Sequence, residues 1–376
     1  MCVHAGHRAR WLADGDATFA AMHALIGKAR QSVCLETYMI RPGEPAESLR
    51  AALIEARERG VRVQVLYDAF GSEGLPLTFF LPLEAAGGEV RMFSPSRRLR
   101  LAFRDHRKLL VCDGRSAIVG GYNIGPEYTG DGVRTGWRDV ALEIDGPIGA
   151  TLAASFEAMY ALAPISAHGI RKFRAVVRSL PTPAGPLRLL SSGPGWRRVL
   201  GPTLRFDLRR ARSVRCMAGY FLPPSRIRRA LHRCAARGGE VLLLLAGKTD
   251  VPVARYAAEH LYSTMMEGGA QLFEYQPQVL HAKFILMDDI VYVGSCNLDR
   301  RSLDINFELL LRLDWPELAA QGRALFEAAL ALSRPVAAER WEQRRRWWEH
   351  LRSTVAYWLL TRIDPLLARR PLRSLD

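Results

Sequence analysis

The chain has 376 residues, 49% of them hydrophobic, enough to bury a sizeable core in two domains or in one duplicated domain. Lysine and arginine outnumber aspartate and glutamate by 53 to 38, and the resulting charge of +15 favours a polyanionic partner: nucleic acid, an anionic membrane surface or a phosphate-bearing substrate. Six scattered cysteines without a Cys-x-x-Cys spacing argue against a zinc cage or a disulfide scaffold, and no apolar run is long enough to span a membrane.

The first dozen residues carry His and Arg and lack the apolar core of a signal peptide. A β-branched and aromatic stretch at 32–40 predicts a strand, and 45–59 predicts a helix that stops at Gly60, glycine being favoured just past a helix end. A buried strand at 61–67 and a helix at 77–86, closed by Gly87 and Gly88, come next. Residues 108–120 read as two apolar strands joined at the turn-forming pair Asp113-Gly114. The series then recurs as strand 215–221, helix 225–237, strand 241–246 and helix 253–267, followed by a strand pair whose turn holds Asp288 and Asp289. Alternating strands and helices predict an α/β fold with one mixed sheet in each half, covered by helices.

The repetition extends to individual residues. Tyr38 and Tyr220 lie 182 positions apart, as do Pro95 and Pro277, each with matching neighbours. His106 and His281 are 175 apart, so the first half carries seven extra residues between Pro95 and His106, basic and apolar in alternation. The expected organisation is a first half over 1–165, a linker over 166–184, a second half over 185–334 and a basic, Trp-rich amphipathic tail over 335–376.

Each half carries the same chemical constellation. His106-x-Lys108 precedes Asp113 and a Gly-Gly-Tyr-Asn run ending at Asn123; His281-x-Lys283 precedes Asp288 and a Gly-Ser-Cys-Asn run ending at Asn297. A phosphodiester repels anionic nucleophiles and has a poor alkoxide leaving group, so its transfer needs an uncharged nucleophile, positive charge on the non-bridging oxygens and an acid. Two His and two Lys on one surface supply all three: one imidazole attacks to give a phosphohistidine, the other protonates the departing alcohol, and Lys108, Lys283, Asn123 and Asn297 hold the phosphate oxygens. A metal is not expected, because a lysine beside each histidine repels a cation and no Asp, Glu or Cys set completes the ligands. Asp113 and Asp288 fall at the turns and read as braces. Asp139 and Glu308, at equivalent places downstream, are candidates to fix the histidine tautomers.

These motifs, together with Glu36-Thr37-Tyr38, Tyr220-Phe221-Leu222-Pro223 and the run Gly294-Ser295-Cys296-Asn297-Leu298-Asp299, resemble the phospholipase D superfamily, and among its members the bacterial cardiolipin synthases. The resemblance implies a duplicated phospholipase D fold, two mixed sheets forming a single-chain pseudo-dimer with the active site between the halves. It implies a phosphatidyltransferase without cofactor that moves a phosphatidyl group to the hydroxyl of phosphatidylglycerol, with His106 as nucleophile and His281 as acid and base. The sequence itself is symmetric on that assignment. The family motif also counts Asp113 and Asp288 with the catalytic set. The chain looks like the shorter type without paired N-terminal membrane helices, and the donor lipid stays open. Two rivals share the chemistry, a hydrolytic phospholipase D and a phosphodiesterase acting on nucleic acid; the paired Asp residues and the tail favour lipid, so no nucleic-acid partner is expected.

At helical spacing Trp341, Trp348, Leu351, Val355, Trp358 and Leu359 fall on one broad side of the tail with arginines around it. Such a helix suits the headgroup boundary of an anionic membrane, which predicts peripheral attachment at the cytoplasmic face; packing on the catalytic core is the alternative, and both together a third.

Overall fold

The segments 109–112, 242–245 and 284–287 carry apolar residues at consecutive positions, and all are buried, as expected of strands covered on both faces. The computed structural model describes residues 1–94, 103–163, 185–194, 199–338, 341 and 346–363. The expected linker at 166–184, most of the basic insert before His106 and parts of the tail lie outside them.

Two eight-stranded mixed sheets make up the chain. The first contains β1 (Cys2–His4), β2 (His7–Leu12), β3 (Ser32–Thr37), β4 (Arg62–Asp68), β5 (Glu89–Phe93), β6 (Leu109–Cys112), β7 (Ser116–Gly120) and β8 (Ala141–Asp145), in the order β1-β2-β8-β7-β6-β3-β4-β5. The second half supplies β9 (Leu187–Ser192), β10 (Ser213–Ala218), the short β11 (Phe221–Leu222), β12 (Glu240–Lys248), β13 (Gln271–Val279), β14 (Lys283–Met287), β15 (Ile290–Gly294), β16 (Leu298–Asp299), β17 (Glu308–Asp314) and β18 (Ser333–Pro335). Its large sheet runs β9-β17-β15-β14-β10-β12-β13-β18, and β11 pairs with β16 apart from it. Stripped of one edge strand each, the two sheets have the same order, with β3, β4, β5 and β10, β12, β13 as their parallel portions.

One buried cluster joins the halves. Phe93, Phe103, Leu142 and Phe156 of the first pack with Phe284, Phe307, Leu309 and Phe326 of the second, while each half keeps a separate outer core beneath its own helices. The Trp11 indole donates to the Leu318 carbonyl at 3.0 Å across the same boundary.

Three expectations shift. The helix expected at 77–86 is a set of turns followed by a helix only over Leu81–Ala85, since Pro82 has no backbone N–H to donate to residue 78 and is tolerated only in a helix's first turn. The helix expected at 253–267 is two, Pro252–Glu259 and Tyr262–Glu267. Between β3 and β10 the offset is 181: Val33 faces Cys112 as Val214 faces Met287. The second half regains one residue at Gly219, where a Cβ would meet the Leu280 carbonyl oxygen at 2.7 Å, so only glycine lets the chain pass. The helix Gly15–Lys28, capped by the Asp14 carboxylate on Ala17 N–H at 2.8 Å, has no counterpart in the expected series, because its apolar residues do not follow a clear period.

The turns after β6 and β14 are built alike. Asp113 and Asp288 adopt φ of 54° and 52°, a left-handed conformation that aspartate tolerates better than most residues. The Asp113 carboxylate accepts from the N–H groups of Arg30, Gln31 and Ser32 at 2.7–3.2 Å; Asp288 accepts from Arg212 and Ser213 at 2.9–3.2 Å. Partial burial opposes the charge of Asp113, but these amides hold its carboxyl below the usual carboxylate range. Asp113→Ala or Asp288→Ala should each cost about 2 kcal/mol in urea unfolding, by stranding donors at a loop crossing. Unchanged stability would show that the braces carry no load.

Candidate active site

Both histidines sit just ahead of a strand, where the chain of one half touches the other. His106 N–H donates to the Phe307 carbonyl at 2.9 Å and Phe307 N–H to that of Arg104 at 2.9 Å. On the other side Arg138 N–H donates to Val279 and His281 N–H to Arg138, both at 2.8 Å. These two small parallel bridges, Asp105 with Phe307 and Arg138 with Leu280, are related by the internal repeat.

The bridges bring each carboxylate to the histidine of the opposite half. His106 Nδ1 lies 3.0 Å from both oxygens of Glu308, and His281 Nδ1 lies 2.6 Å from Asp139 Oδ2. Both acids are fully buried, which removes the alternative of a surface salt bridge. The second-half acid is longer and has an extra partner, the Ser295 hydroxyl at 2.5 Å. The equivalent residue in the first half is Gly121, where a Cβ would lie 2.3 and 2.4 Å from the Asp139 oxygens. The shorter Asp thus needs the space a side chain would take.

Lysines and amides complete a cationic cluster. Lys108 Nζ donates to the His106 carbonyl at 2.7 Å, and Lys283 Nζ contacts the His281 carbonyl and lies 2.9 Å from its ring nitrogens. Asn123 lines a small cavity with Lys108, and Asn297 one with Lys283; each has a buried Oδ1 without a protein partner. Burial, then Lys108, Lys283 and His281, push the His106 imidazole well below its ordinary value, while burial and Lys283 bring His281 to about 4. Groups of both halves therefore act on one centre. Burial also takes Lys108 to about 7 and Lys283 to about 8, and raises Glu308 to about 8 against the pull of Lys108 and Ser295 toward the carboxylate.

Asp113 and Asp288 are elsewhere. Each is separated from its lysine by the length of a strand, roughly 15 Å. Their inclusion with the catalytic set is corrected on that ground: the side chains are spent on backbone amides at the far turns.

Several neighbours escaped sequence reasoning. Tyr38 packs against His106 with ring centres 4.8 Å apart and planes tilted by 58°, and His281 is walled by Tyr128 at 5.3 Å, Trp137 at 5.6 Å and Tyr220 at 6.2 Å. The Tyr38 and Tyr220 repeat was visible as a matched aromatic. Behind His106 lies a buried ion cluster: Arg107 bonds Glu36 at 3.1 Å and the Ser155 hydroxyl at 2.9 Å, with Asp105 beside them. The strand register places apolar Met217, Leu280 and Ala282 at the corresponding positions of the second half. The signal was the residue between His and Lys, arginine in one motif and alanine in the other.

Comparison with known proteins places this site in a class. The sequence model of a family described as "Cardiolipin synthase, PLD-like domain" matches residues 22–160 and 206–330, one segment for each half, which puts the chain among the two-motif enzymes of the phospholipase D superfamily. It is 31% identical to cardiolipin synthase A of Pseudomonas fluorescens over 353 residues, covering 91% of this chain and 72% of the relative, and 30% identical to cardiolipin synthase B of Salmonella typhi over 377 residues, covering 98% and 91%. The chain belongs to the cardiolipin synthase family. In fold it is similar to a phosphatidylserine synthase from Haemophilus influenzae, with a TM-score of 0.74 at 13% identity over 96% of this chain and 94% of that one.

The crossed acids predict that Asp139→Asn and Glu308→Gln each lower kcat by about 10³–10⁴-fold with the fold intact, by releasing a histidine from its tautomer. A loss below about tenfold would deny them that role. The depressed lysines give a pH dependence. An anion restores their charge, so dimethyl phosphate, a monoanion throughout, should bind with proton uptake and more weakly as pH rises through about 7 to 8. Titration calorimetry in two buffers of different ionisation enthalpy checks this, and a pH-independent affinity would contradict it.

Proposed function

We propose that the chain is a cardiolipin-forming phosphatidyltransferase working through a phosphohistidine. The observation that carries this reading is the crossed pairing, in which each histidine is held at Nδ1 by the other half's acid while two lysines flank the same centre.

In the first stage His106 Nε2 attacks the phosphorus of a donor phospholipid. The N–P bond forms as the P–O bond to the head-group alcohol breaks, and His281 gives its Nε2 proton to that oxygen. Lys108, Lys283, Asn123 and Asn297 hold the non-bridging oxygens, and the phosphate anion raises the depressed pKa of His281 so that it arrives protonated. In the second stage His281 takes the proton from a glycerol hydroxyl of phosphatidylglycerol. That oxygen attacks phosphorus, the N–P bond breaks, and cardiolipin leaves with His106 regenerated. Glu308 serves the nucleophile and Asp139 the acid. Asp113 and Asp288 serve the turns.

The substrates are bilayer lipids, and the enzyme works on them peripherally, at the cytoplasmic face. Among the described residues no helix is long and apolar enough to cross a membrane, and all six cysteines are unpaired and buried, as in a reducing compartment. An anionic membrane surface is the partner, matched by the charge of +15; nucleic acid is not.

Purified protein given phosphatidylglycerol vesicles should yield cardiolipin and glycerol without added nucleotide, read by lipid mass spectrometry. His106→Ala and His281→Ala should each abolish turnover, and enzyme quenched in denaturant at alkaline pH, where an N–P bond survives, should carry a phosphatidyl adduct on His106. Full activity in either variant would overturn the two-histidine mechanism; phosphatidic acid as sole product would make the enzyme a hydrolase.

A further inference from the structure

The largest exposed apolar side chains are not scattered. Seven of the large hydrophobics exposed on the surface belong to the C-terminal segment: Trp347, Trp348, Leu351, Val355, Trp358, Leu359 and Ile363. On the helix Trp347–Trp358 and its continuation through Leu359, the six residues from Trp347 to Leu359 fall within an arc of about 120°. The opposite side is occupied. Ser353 and Ala356 are buried, Tyr357 stacks on His260 at 4.5 Å, and the Arg352 guanidinium lies 3.7 Å over the Tyr256 ring. The helix therefore packs on the catalytic core by one face and turns a second apolar face outward, which reconciles the two sequence readings of the tail.

What it packs on is the connection between β12 and β13. That connection touches the site through Asp250, whose carboxylate accepts the Tyr220 hydroxyl at 2.7 Å, and Tyr220 faces His281. The equivalent connection of the first half, between β4 and β5, carries the exposed Phe70, Leu77 and Leu81. Phe70 lies 3.8 Å under the Arg104 guanidinium, Arg104 donates to the Tyr38 hydroxyl at 3.3 Å, and Tyr38 packs against His106. A cavity of about 220 Å³ lined by Phe70, Leu77, Phe103 and Arg104 lies along this chain of contacts. Two apolar patches thus sit at corresponding connections, one on the β4–β5 connection itself and one on the C-terminal helix that covers the β12–β13 connection, each a few contacts from one histidine.

We propose that these patches form one membrane-docking rim, which seats the mouth of the active site on an anionic phospholipid surface and lets the phosphatidyl group reach His106 past Phe70 and Arg104. The proposal deepens the lipid-transfer reading given above and rests on it for the substrate. Charge selects this occupant over an apolar protein. Arg228 of the basic helix Ser225–Ala236 bonds the Tyr357 hydroxyl at 3.2 Å, and the exposed Arg226 and Arg229 flank it, while the Arg346 guanidinium lies 4.8 Å over Trp348. Indole and guanidinium side by side are suited to the headgroup boundary.

Two variants of the full chain test it: Leu81→Asp, and Trp347→Ser combined with Leu351→Ser and Trp358→Ser. All four positions are exposed and outside the cavity lining, so the fold should survive, and turnover of dihexanoyl phosphatidylglycerol below its micelle concentration should stay within about twofold of the parent. Flotation with phosphatidylglycerol vesicles should show binding reduced at least about tenfold in each variant, with vesicle turnover falling in proportion. In the parent protein, brominated acyl chains should quench tryptophan fluorescence, and the second variant should lose that quenching. Undiminished flotation by either variant would overturn the proposal, as would a parent dimer that dissociates in the variants, which would make the faces a contact between copies. A parent that floats but forms no cardiolipin from either substrate would count against the transferase and leave the rim standing.

Discussion

The structure depends on a carboxylate and an imidazole meeting across a boundary. Glu308 reaches back to His106 and Asp139 reaches forward to His281, so neither half contains a histidine with its own acid. The main chain enforces the exchange. Asp105 and Phe307 on one side, Arg138 and Leu280 on the other, form backbone bridges beside the side chains they position. Around these bridges the shared core of Phe93, Phe103, Phe307 and Phe284 fixes the distance between the sheets, to which a hydrogen-bonded pair is sensitive at the scale of tenths of an ångström.

The repeat is exact in strand order and inexact where chemistry needs the halves to differ. Glu with a serine partner stands on one side and Asp beside a glycine on the other, two ways of filling the same volume with an acid and its support. Behind His106 the Glu36–Arg107 pair is wholly buried, whereas Met217 and Ala282 fill the corresponding space behind His281. Burying charge is costly unless it is paired, and removing one partner of such a pair leaves a penalty of about 3–5 kcal/mol. An ion cluster held at that cost beneath one histidine only makes the two motifs inequivalent, in the direction of separate duties.

Much of this was legible in the chain. The His-x-Lys pairs, the offset of the halves and the two downstream acids all follow from repetition, because a duplication that has kept its site leaves matched residues at matched spacing. Which acid serves which histidine was not legible: spacing along the chain is blind to the exchange, and only the interface decides it. The short helix Leu81–Ala85 and the split helix after β12 were misjudged because apolar periodicity ignores where prolines and local turns interrupt bonding. The ion cluster of Glu36, Asp105 and Arg107 was not legible, because burial of a polar residue is set by tertiary packing rather than by its neighbours in sequence.

The crossing also orders events in time. A chain with only one half folded, or with two halves folded but not yet docked, has histidines with no acid at Nδ1 and lysines that do not yet share a centre. Competence therefore requires the central core to be closed, because only the docked halves give each histidine its acid.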